Sequence, residues 1–353
     1  MNVQKIAAAD AIARLSEFGA IIDARSPAEW ALDHLPGALN WPSLNDEERV
    51  LVGTLYAQVS PFEAQKRGAA LVAANIARHI EREVMDKPRN WQPLIYCWRG
   101  GKRSGALALV LGQIGFRVSV IDGGYKAFRA GVLAQLPDMP RRFSWRVVCG
   151  PTGSGKTRLL HALQRAGAQV LDLEGLASHR SSVLGHVPGS PQPGQRRFET
   201  LIWDALRGFD PARPVYVESE SKKVGDLAVP EGLMACMRAS PCLDLQLPLD
   251  ERVALLLEDY EWFIHNPGPF AARLDALVAL RGKVLVHRWQ ALIASGEFDT
   301  VVRELLEHHY DPGYSSSMVR NFSSYADAQK LDAGDRSPAS MEMLAGKILA
   351  GDA

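Results

Sequence analysis

Two short stretches carry residue types and spacings that could handle anions. The first is LIYCWRGGKRSG, Leu94 to Gly105, where Cys97 stands between an apolar run and a glycine pair, with Arg99, Lys102 and Arg103 close in sequence. A cysteine just after a buried strand, followed by a loop and a helix, faces backbone N–H groups and a helix N-terminus. Both favour a thiolate and attract anions. The stretch predicts Cys97 as a nucleophile that works on, or carries, an anionic group. Arg103 is its charged partner, and Trp98, Arg99, Gly100, Gly101, Lys102 and Ser104 form the anion loop. The alternative is an inert buried thiol, which the polar, basic and glycine-rich surroundings disfavour.

The second stretch is GPTGSGKT, Gly150 to Thr157, which fits G-x-x-x-x-G-K-[ST] between an apolar strand and a helix. Gly150, Gly153, Ser154 and Gly155 let backbone N–H groups face phosphates, Lys156 neutralises phosphate charge, and Thr157 can hold a magnesium ion. This predicts a site for a diphosphate or triphosphate without choosing between them. Acids follow at strand ends: Asp172 and Glu174 in LDLEG, then Glu218 and Glu220 after PVYV. They could reach a metal or position a water, or be ordinary strand-end acids.

Elements must hold both stretches in place. Residues 20–23, AIID, read as a short buried strand, and residues 64–84 as a helix with Leu71, Ile76, Ile80 and Val84 on helical spacing. PLIYC reads as a strand, SGALALVLGQIG as a helix, and FRVSVIDGG as a strand stopped by glycines. The alternation predicts an α/β fold with a parallel sheet. LAQLPDMPRRFS breaks the periodicity, so the boundary is expected near 135–143, giving domains 1–137 and 138–353. After it come strand WRVVCG, helix KTRLLHALQRAG and strands AQVLDLEG and PVYVES, then helices over 198–207, 251–265, 270–280 and 297–309. Residues 181–194, rich in Ser, Gly and Pro, predict a mobile loop.

Composition bounds the rest. Of 353 residues, 47% are apolar and 23% charged, an ordinary soluble mixture. No apolar run is long enough to span a membrane, and the start lacks the order of a signal peptide, so a cytoplasmic protein is expected. The four cysteines, 97, 149, 236 and 242, lack paired CxxC spacing, so neither a structural metal nor a disulfide framework is expected. Lys plus Arg and Asp plus Glu are 40 each, which excludes binding nucleic acid through bulk charge. It leaves room for a local basic face from Lys102-Arg103, Arg141-Arg142, Arg196-Arg197 and Lys222-Lys223, or for scattered solvated surface.

IIDARSPAEWALDHLPGALNWP carries Asp23, Arg25, Ser26-Pro27, Glu29, His34 and Pro36-Gly37-Ala38 in an order that resembles the rhodanese family, and VIDGGYKAF resembles that family's closing segment. In that family the cysteine carries sulfur as a persulfide. Many rhodaneses reach the arginine one residue sooner. The Cys-x5-Arg spacing here resembles dual-specificity phosphatases and arsenate reductases, and a wider loop could admit a larger anion or a heavier atom.

A rhodanese-like segment followed by a P-loop segment, with HRSS…PQPGQRRFE, VESES and HHYDPGY (His308 to Tyr314), resembles the bacterial tRNA 2-selenouridine synthases over nearly the whole chain. The resemblance implies a rhodanese-like domain joined to a P-loop NTPase-like domain with a helical C-terminal part. It implies geranylation of wobble 2-thiouridine in tRNAs for Lys, Glu and Gln from geranyl diphosphate. Replacement of sulfur by selenium from selenophosphate then follows. It implies no tightly bound cofactor beyond a magnesium ion. Trp262, Phe263 and Phe270 could house the geranyl chain or be core. Arg141, Arg142, Arg196, Arg197, Lys222 and Lys223 become candidate tRNA contacts, with salt-dependent binding. Competing readings are a P-loop small-molecule kinase or NTPase with a rhodanese-like regulatory or sulfur-carrier domain, a Cys-x5-Arg phosphatase, and a non-catalytic tRNA-binding module.

Overall fold

The computed structural model describes residues 3–180, 185 and 189–352. Half of the expected loop at 181–194, residues 181–184 and 186–188, therefore lies outside the described residues. The chain divides into two units, Met1–Leu136 with Gly194–Asp204, and Pro137–Pro193 with Ala205–Ala353.

The first unit is built on five parallel strands, β1 (Val3–Ile6), β2 (Ala20–Asp23), β3 (Ala38–Asn40), β4 (Pro93–Tyr96) and β5 (Val118–Ile121), in the order β1-β5-β4-β2-β3. β4 and β5 are buried along their length, which is why they read as unbroken apolar runs. The helices are α1 (Ala8–Ala13), α2 (Pro27–Leu32), α3 (Asp46–Gln58), α4 (Pro61–Glu83), α5 (Lys102–Ile114) and α6 (Gly124–Gln135). Leu107, Ala108 and Leu111 of α5 close over Ile22, Ile95 and Val120, anchoring the helix whose first turn faces Cys97. Each such large side chain contributes about 1.5–3 kcal/mol by burial. α3 escapes the periodicity reading because it buries no residue; a capping box, Asn45 with Glu48, starts it instead.

Gly194–Asp204 follow the P-loop in sequence but belong to this unit. Phe198, Ile202 and Trp203 are buried. Arg129 donates to Thr200 Oγ1 and the Arg196 carbonyl, both at 3.1 Å, and pairs with Glu199. Asp33 accepts from Tyr125 Oη at 2.8 Å and Thr200 Oγ1 at 3.0 Å. Chain order alone placed residues 138–353 together, and nothing local in QRRFETLIW says which core it joins.

In the second unit the parallel strands are β6 (Trp145–Cys149), β7 (Gln169–Leu171), β8 (Val215–Glu218), β11 (Cys242–Gln246) and β12 (Gln329–Asp332), ordered β12-β11-β6-β8-β7; β9 (Lys223–Val224) and β10 (Leu227–Ala228) form a small hairpin. α7 (Lys156–Arg165) leaves the P-loop, followed by α8 (Leu173–Ala177) and α10 (Glu231–Arg238); α9 (Gln195–Arg207) lies between these two in sequence, but its residues up to Asp204 belong to the first unit. Leu159, Leu160 and Leu163 of α7 meet Leu344, Ala345 and Ile348 of the last helix, Pro338–Asp352. The remaining helices are α11 (Leu249–Asp259), α12 (Glu261–His265), α13 (Pro267–Leu274), α14 (Val278–Arg281), α15 (Lys283–Ala294), α16 (Phe298–Leu305) and α17 (Asp311–Asn321). Of these, α12, α13, α15 and α16 share a core of Phe263, Phe270, Leu274, Trp289, Val301 and Leu305. The helix expected over 251–265 breaks at Tyr260, that over 270–280 stops at Leu274, and that over 297–309 turns into a π-helical segment at Leu306. Apolar spacing runs on through these corners because both sides of each corner face one core. No helix among the described residues is long and apolar enough to cross a membrane.

Candidate functional site

Each candidate stretch lies in a loop between the carboxyl end of a central strand and a helix, where ligands bind in open α/β sheets. In the first unit Cys97 follows β4. Gly100 (φ +66) needs to be glycine, since a Cβ there would stand 2.5 Å from the Ile121 carbonyl oxygen; at Gly124 (φ +56) a Cβ would stand 2.2 Å from the Cys97 carbonyl oxygen. The two glycines let the loop lie against the start of α6, whose Tyr125 N–H donates to the Cys97 carbonyl at 2.8 Å. Trp98 stacks on Tyr125 at 5.4 Å between centroids. Beneath, Arg25 pairs with Asp23 at 2.6 Å and lies 4.0 Å from the Tyr125 ring centre, so these two signature residues brace the loop from below.

Cys97 Sγ is buried and accepts hydrogen bonds from Ser104 Oγ at 3.2 Å and the Gly101 N–H at 3.3 Å. Burial pushes the thiol up. The Ser104 hydroxyl and the N–H groups of Ser104, Gly101 and Arg99 outweigh it and hold the thiol below its ordinary range. Arg103 does not lend a free charge to an anion. Its guanidinium donates to Glu29 Oε2 at 2.6 Å, and burial of Glu29 is outweighed by this bond, which keeps the carboxylate ionised. The sequence motif placed Arg103 correctly beside the loop, but its partner is Glu29. The exposed cations are Arg99 and Lys102.

In the second unit Gly150, Gly153 and Gly155 have φ of 147°, 77° and 87°. Lys156 Nζ donates to the Gly150 carbonyl at 2.8 Å, and the Gly150 N–H donates to Tyr314 Oη at 2.6 Å. Ser154 Oγ is buried without a hydrogen-bond partner. Arg252 braces the loop, donating to the Thr152 carbonyl at 2.7 Å and to Asp311 at 2.6 Å. Glu174 Oε2 and Glu218 Oε2 stand 3.2 and 3.5 Å from Thr157 Oγ1, and the Glu174 N–H donates to Glu218 Oε1 at 2.9 Å. Burial, then the carboxylates of Glu174, Glu220 and Asp172, push Glu218 well above the usual carboxylate range. One hydroxyl proton cannot serve two carboxylates, so this corner has lone pairs to spare. Asp172 acts on this corner through its charge while its hydrogen bonds lie elsewhere: it caps α8 through the Gly175 N–H at 2.7 Å and faces His161 at 3.0 Å. Among the described residues no three His, Cys, Asp or Glu side chains group as a metal site.

The P-loop opens on a broad cleft that also takes in Thr152, Leu256, Tyr260 and Tyr310. The same four residues line a narrow apolar cavity of about 40 Å³, with Phe263, Phe270, Phe298, Val302 and Leu305 behind them. Phe263 and Phe270 are thus both core and cavity wall; Trp262 does not line the cavity.

A family model for the tRNA 2-selenouridine synthase AAA domain matches residues 143–269, and one for the rhodanese-like domain matches 7–131. The tRNA 2-selenouridine synthase of Hydrogenovibrio crunogenus is 33% identical over 354 residues, covering 88% of this chain and 93% of the relative. The chain belongs to the tRNA 2-selenouridine synthase family. The Nitrosomonas europaea protein of that family is 37% identical over 247 residues, 68% of this chain, which spans 63% of that relative's length. A solved N-terminal domain from Clostridium difficile 630 aligns at 33% identity over 37% of this chain and 98% of its own, with a TM-score of 0.32.

The candidate tRNA contacts of this family member fall in different surroundings. Arg141 is exposed and pairs with Asp138 at 3.0 Å, and Arg142 and Arg196 are exposed. Arg197 is instead structural, donating to the His34 carbonyl at 3.0 Å and lying 3.9 Å from Asp33. Lys222 and Lys223 are exposed at the β9–β10 hairpin, and Lys222 lines the P-loop cleft. Glu29 and Tyr314 were visible as motif letters without a role. Arg252, which braces the P-loop, and Arg238, which lines the cleft, carried no sequence signal because neither sits in a motif.

Proposed function

We propose that the chain is a cytoplasmic tRNA-modifying transferase that geranylates 2-thiouridine at the wobble position of tRNAs for Lys, Glu and Gln, then exchanges the sulfur for selenium from selenophosphate. The observation that supports it best is the apolar cavity opening into the P-loop cleft. A geranyl diphosphate can lay its diphosphate on the amides of Gly153 to Thr157 and its tail against Phe263, Phe270 and Leu305. A nucleobase, which needs several hydrogen-bond partners, is poorly served by that lining, and this weighs against the kinase or NTPase reading. Thr157, Glu174 and Glu218 would hold a magnesium ion, which neutralises charge on the diphosphate.

In the first step the nucleoside sulfur bonds to the geranyl carbon, the carbon–oxygen bond breaks, diphosphate leaves, and the base loses its N3 proton. In the second, the selenium of selenophosphate adds at carbon 2, geranyl thiol departs, and water cleaves the phosphorus–selenium bond, so that phosphate leaves and selenium stays on the base. Alkylation converts a poor leaving group into a thiol. The Cys97 loop suits the second step: its amides attract the anionic donor, and a thiolate below the ordinary thiol range can position that donor, or attack its phosphorus so that the phosphorus–selenium bond breaks and hydrogen selenide leaves toward carbon 2. Nucleoside mass spectrometry of tRNA from a strain lacking the protein tests the reading. Loss of 2-selenouridine and of its geranylated precursor is expected; unchanged levels of both would overturn it.

A further inference from the structure

The P-loop cleft is lined by more cations than a diphosphate needs, and they fall into two groups. Arg158 is neutralised by Glu258 at 3.0 Å and Asp259 at 2.9 Å. Arg180 faces Asp259 at 3.6 Å and lies over the rings of Tyr260 and Trp262. Lys222 and Arg238 also line the cleft, and among the described residues neither has a carboxylate partner. Arg238 Nε is shut away from solvent, and among the described residues it has no acceptor. The end of α10 favours a cation there, but it supplies Nε with nothing: the Arg238 carbonyl is taken by the Ser323 N–H at 3.0 Å and Ser323 Oγ at 3.1 Å. A buried guanidinium N–H without an acceptor is costly, and a ligand oxygen would remove that cost.

We propose that Arg238 and Lys222 form a second anion subsite, which holds a backbone phosphodiester of the RNA strand beside the nucleotide being modified. This rests on the tRNA-modifying reading above. Lys222 is set by its hairpin: the Val229 N–H closes onto the Lys222 carbonyl at 3.0 Å and Ala228 pairs with Lys223, so the backbone is fixed while the side chain is free. Ser317 and Asn321 of α17 add polar groups along the same cleft. The subsite comes from the β8–β9 segment and α10, whereas the apolar cavity is walled by α11, α12, α13 and α16, so donor tail and RNA strand are recognised by different elements. The carboxylates of Glu174 and Glu220, also in the cleft, repel a doubly charged free phosphate more than a singly charged diester. That favours RNA backbone over a stray phosphate.

The test uses the full chain, with Arg238→Gln and Lys222→Ala beside the parent, and an anticodon stem-loop RNA carrying 2-thiouridine. Each variant is expected to bind the RNA about tenfold more weakly, and to lower the dependence of log K on log salt by about 0.7, the value for one single-strand phosphate. Geranyl diphosphate affinity, measured by calorimetry, should stay at the parent value, which also reports that the cleft is intact. Methylphosphonate linkages flanking the target nucleotide should weaken parent binding by a similar factor and leave Arg238→Gln unaffected. Inorganic phosphate should compete only weakly. Parent-like RNA affinity in both variants overturns the subsite while leaving the tRNA reading standing. A parallel fall in geranyl diphosphate affinity assigns these cations to the donor, and strong phosphate competition assigns them to a free anion. Absence of RNA binding by the parent overturns the tRNA reading itself.

Discussion

The cysteine loop and the P-loop are two answers to the same problem. Each follows a buried parallel strand, turns on glycines with positive φ and ends in a helix N-terminus. In the first the pocket is already filled by an atom of the protein: Cys97 Sγ accepts from Gly101 and Ser104, as an anion would. In the second the nearest cation, Lys156, folds back onto the Gly150 carbonyl, and Ser154 Oγ is left without a partner. One loop is built around a nucleophile, the other around a ligand to come. The pairing of cations follows the same division. Arg103 is spent on Glu29, so thiolate stabilisation is local and does not depend on a free guanidinium, whereas the P-loop has carboxylates gathered at Thr157 and an apolar cavity beside it.

If the division holds, the largest effect comes from removing the filled atom. Cys97→Ser keeps the size and hydrogen bonding but loses the soft nucleophile. It should leave geranylated 2-thiouridine to accumulate and 2-selenouridine absent from tRNA, as read by nucleoside mass spectrometry. A variant that loses geranylation too would show that both steps share one site.

Next in size, Lys156→Ala removes a charge-assisted phosphate contact, worth about 1.5–3 kcal/mol, or about ten- to hundredfold in affinity. Geranyl diphosphate binding and the first step should fall together. Geranylation at the parent rate would detach the P-loop from the donor.

How much of this was legible beforehand follows from where each signal lives. The two loops are contiguous, so eight to twelve letters held both the glycines and the chemistry. The strands β4, β5, β6 and β8 are buried on both faces and stood out as apolar runs. What chain order could not show is long-range: Glu29 meeting Arg103, Tyr314 on the Gly150 amide, Arg252 under Thr152, and residues 194–204 leaving their sequence neighbours for the first unit. Helix corners at Tyr260 and Leu274 were hidden because the apolar spacing continues past them. A pair of basic letters does not say whether a carboxylate waits nearby: Arg197 has Asp33, and among the described residues Lys222 has none.

A smaller effect separates the donor's two ends. Val302 lines the apolar cavity and is half-buried. Val302→Trp should fill that space and weaken geranyl diphosphate about tenfold, the cost of a partly lost apolar contact of roughly 1.5 kcal/mol, while leaving inorganic pyrophosphate affinity as it was. Equal losses for both ligands would mean that the cavity does not receive the tail.

The smallest change probes the cysteine loop alone. Ser104 is buried and donates its hydroxyl to Cys97 Sγ, and it is first among the groups that offset burial of the thiol. A hydrogen bond to the ionised form lowers the pKa, so Ser104→Ala should raise it. In the parent the thiolate is present at and above the depressed pKa and is lost as pH falls through it. In the variant that loss begins at higher pH. The thiolate absorbance, taken as a difference against Cys97→Ser, should titrate with a midpoint moved upward. Reaction with iodoacetamide at neutral pH should slow by a few-fold, and the two proteins should react alike once pH exceeds both midpoints. Because the Gly101 and Arg99 amides remain, the midpoint should not reach that of a fully buried, unassisted thiol. An unmoved midpoint would assign the stabilisation to the backbone amides alone. A midpoint that moves downward on replacing Glu29 with Gln, which frees Arg103, would show that the guanidinium charge reaches the thiolate after all.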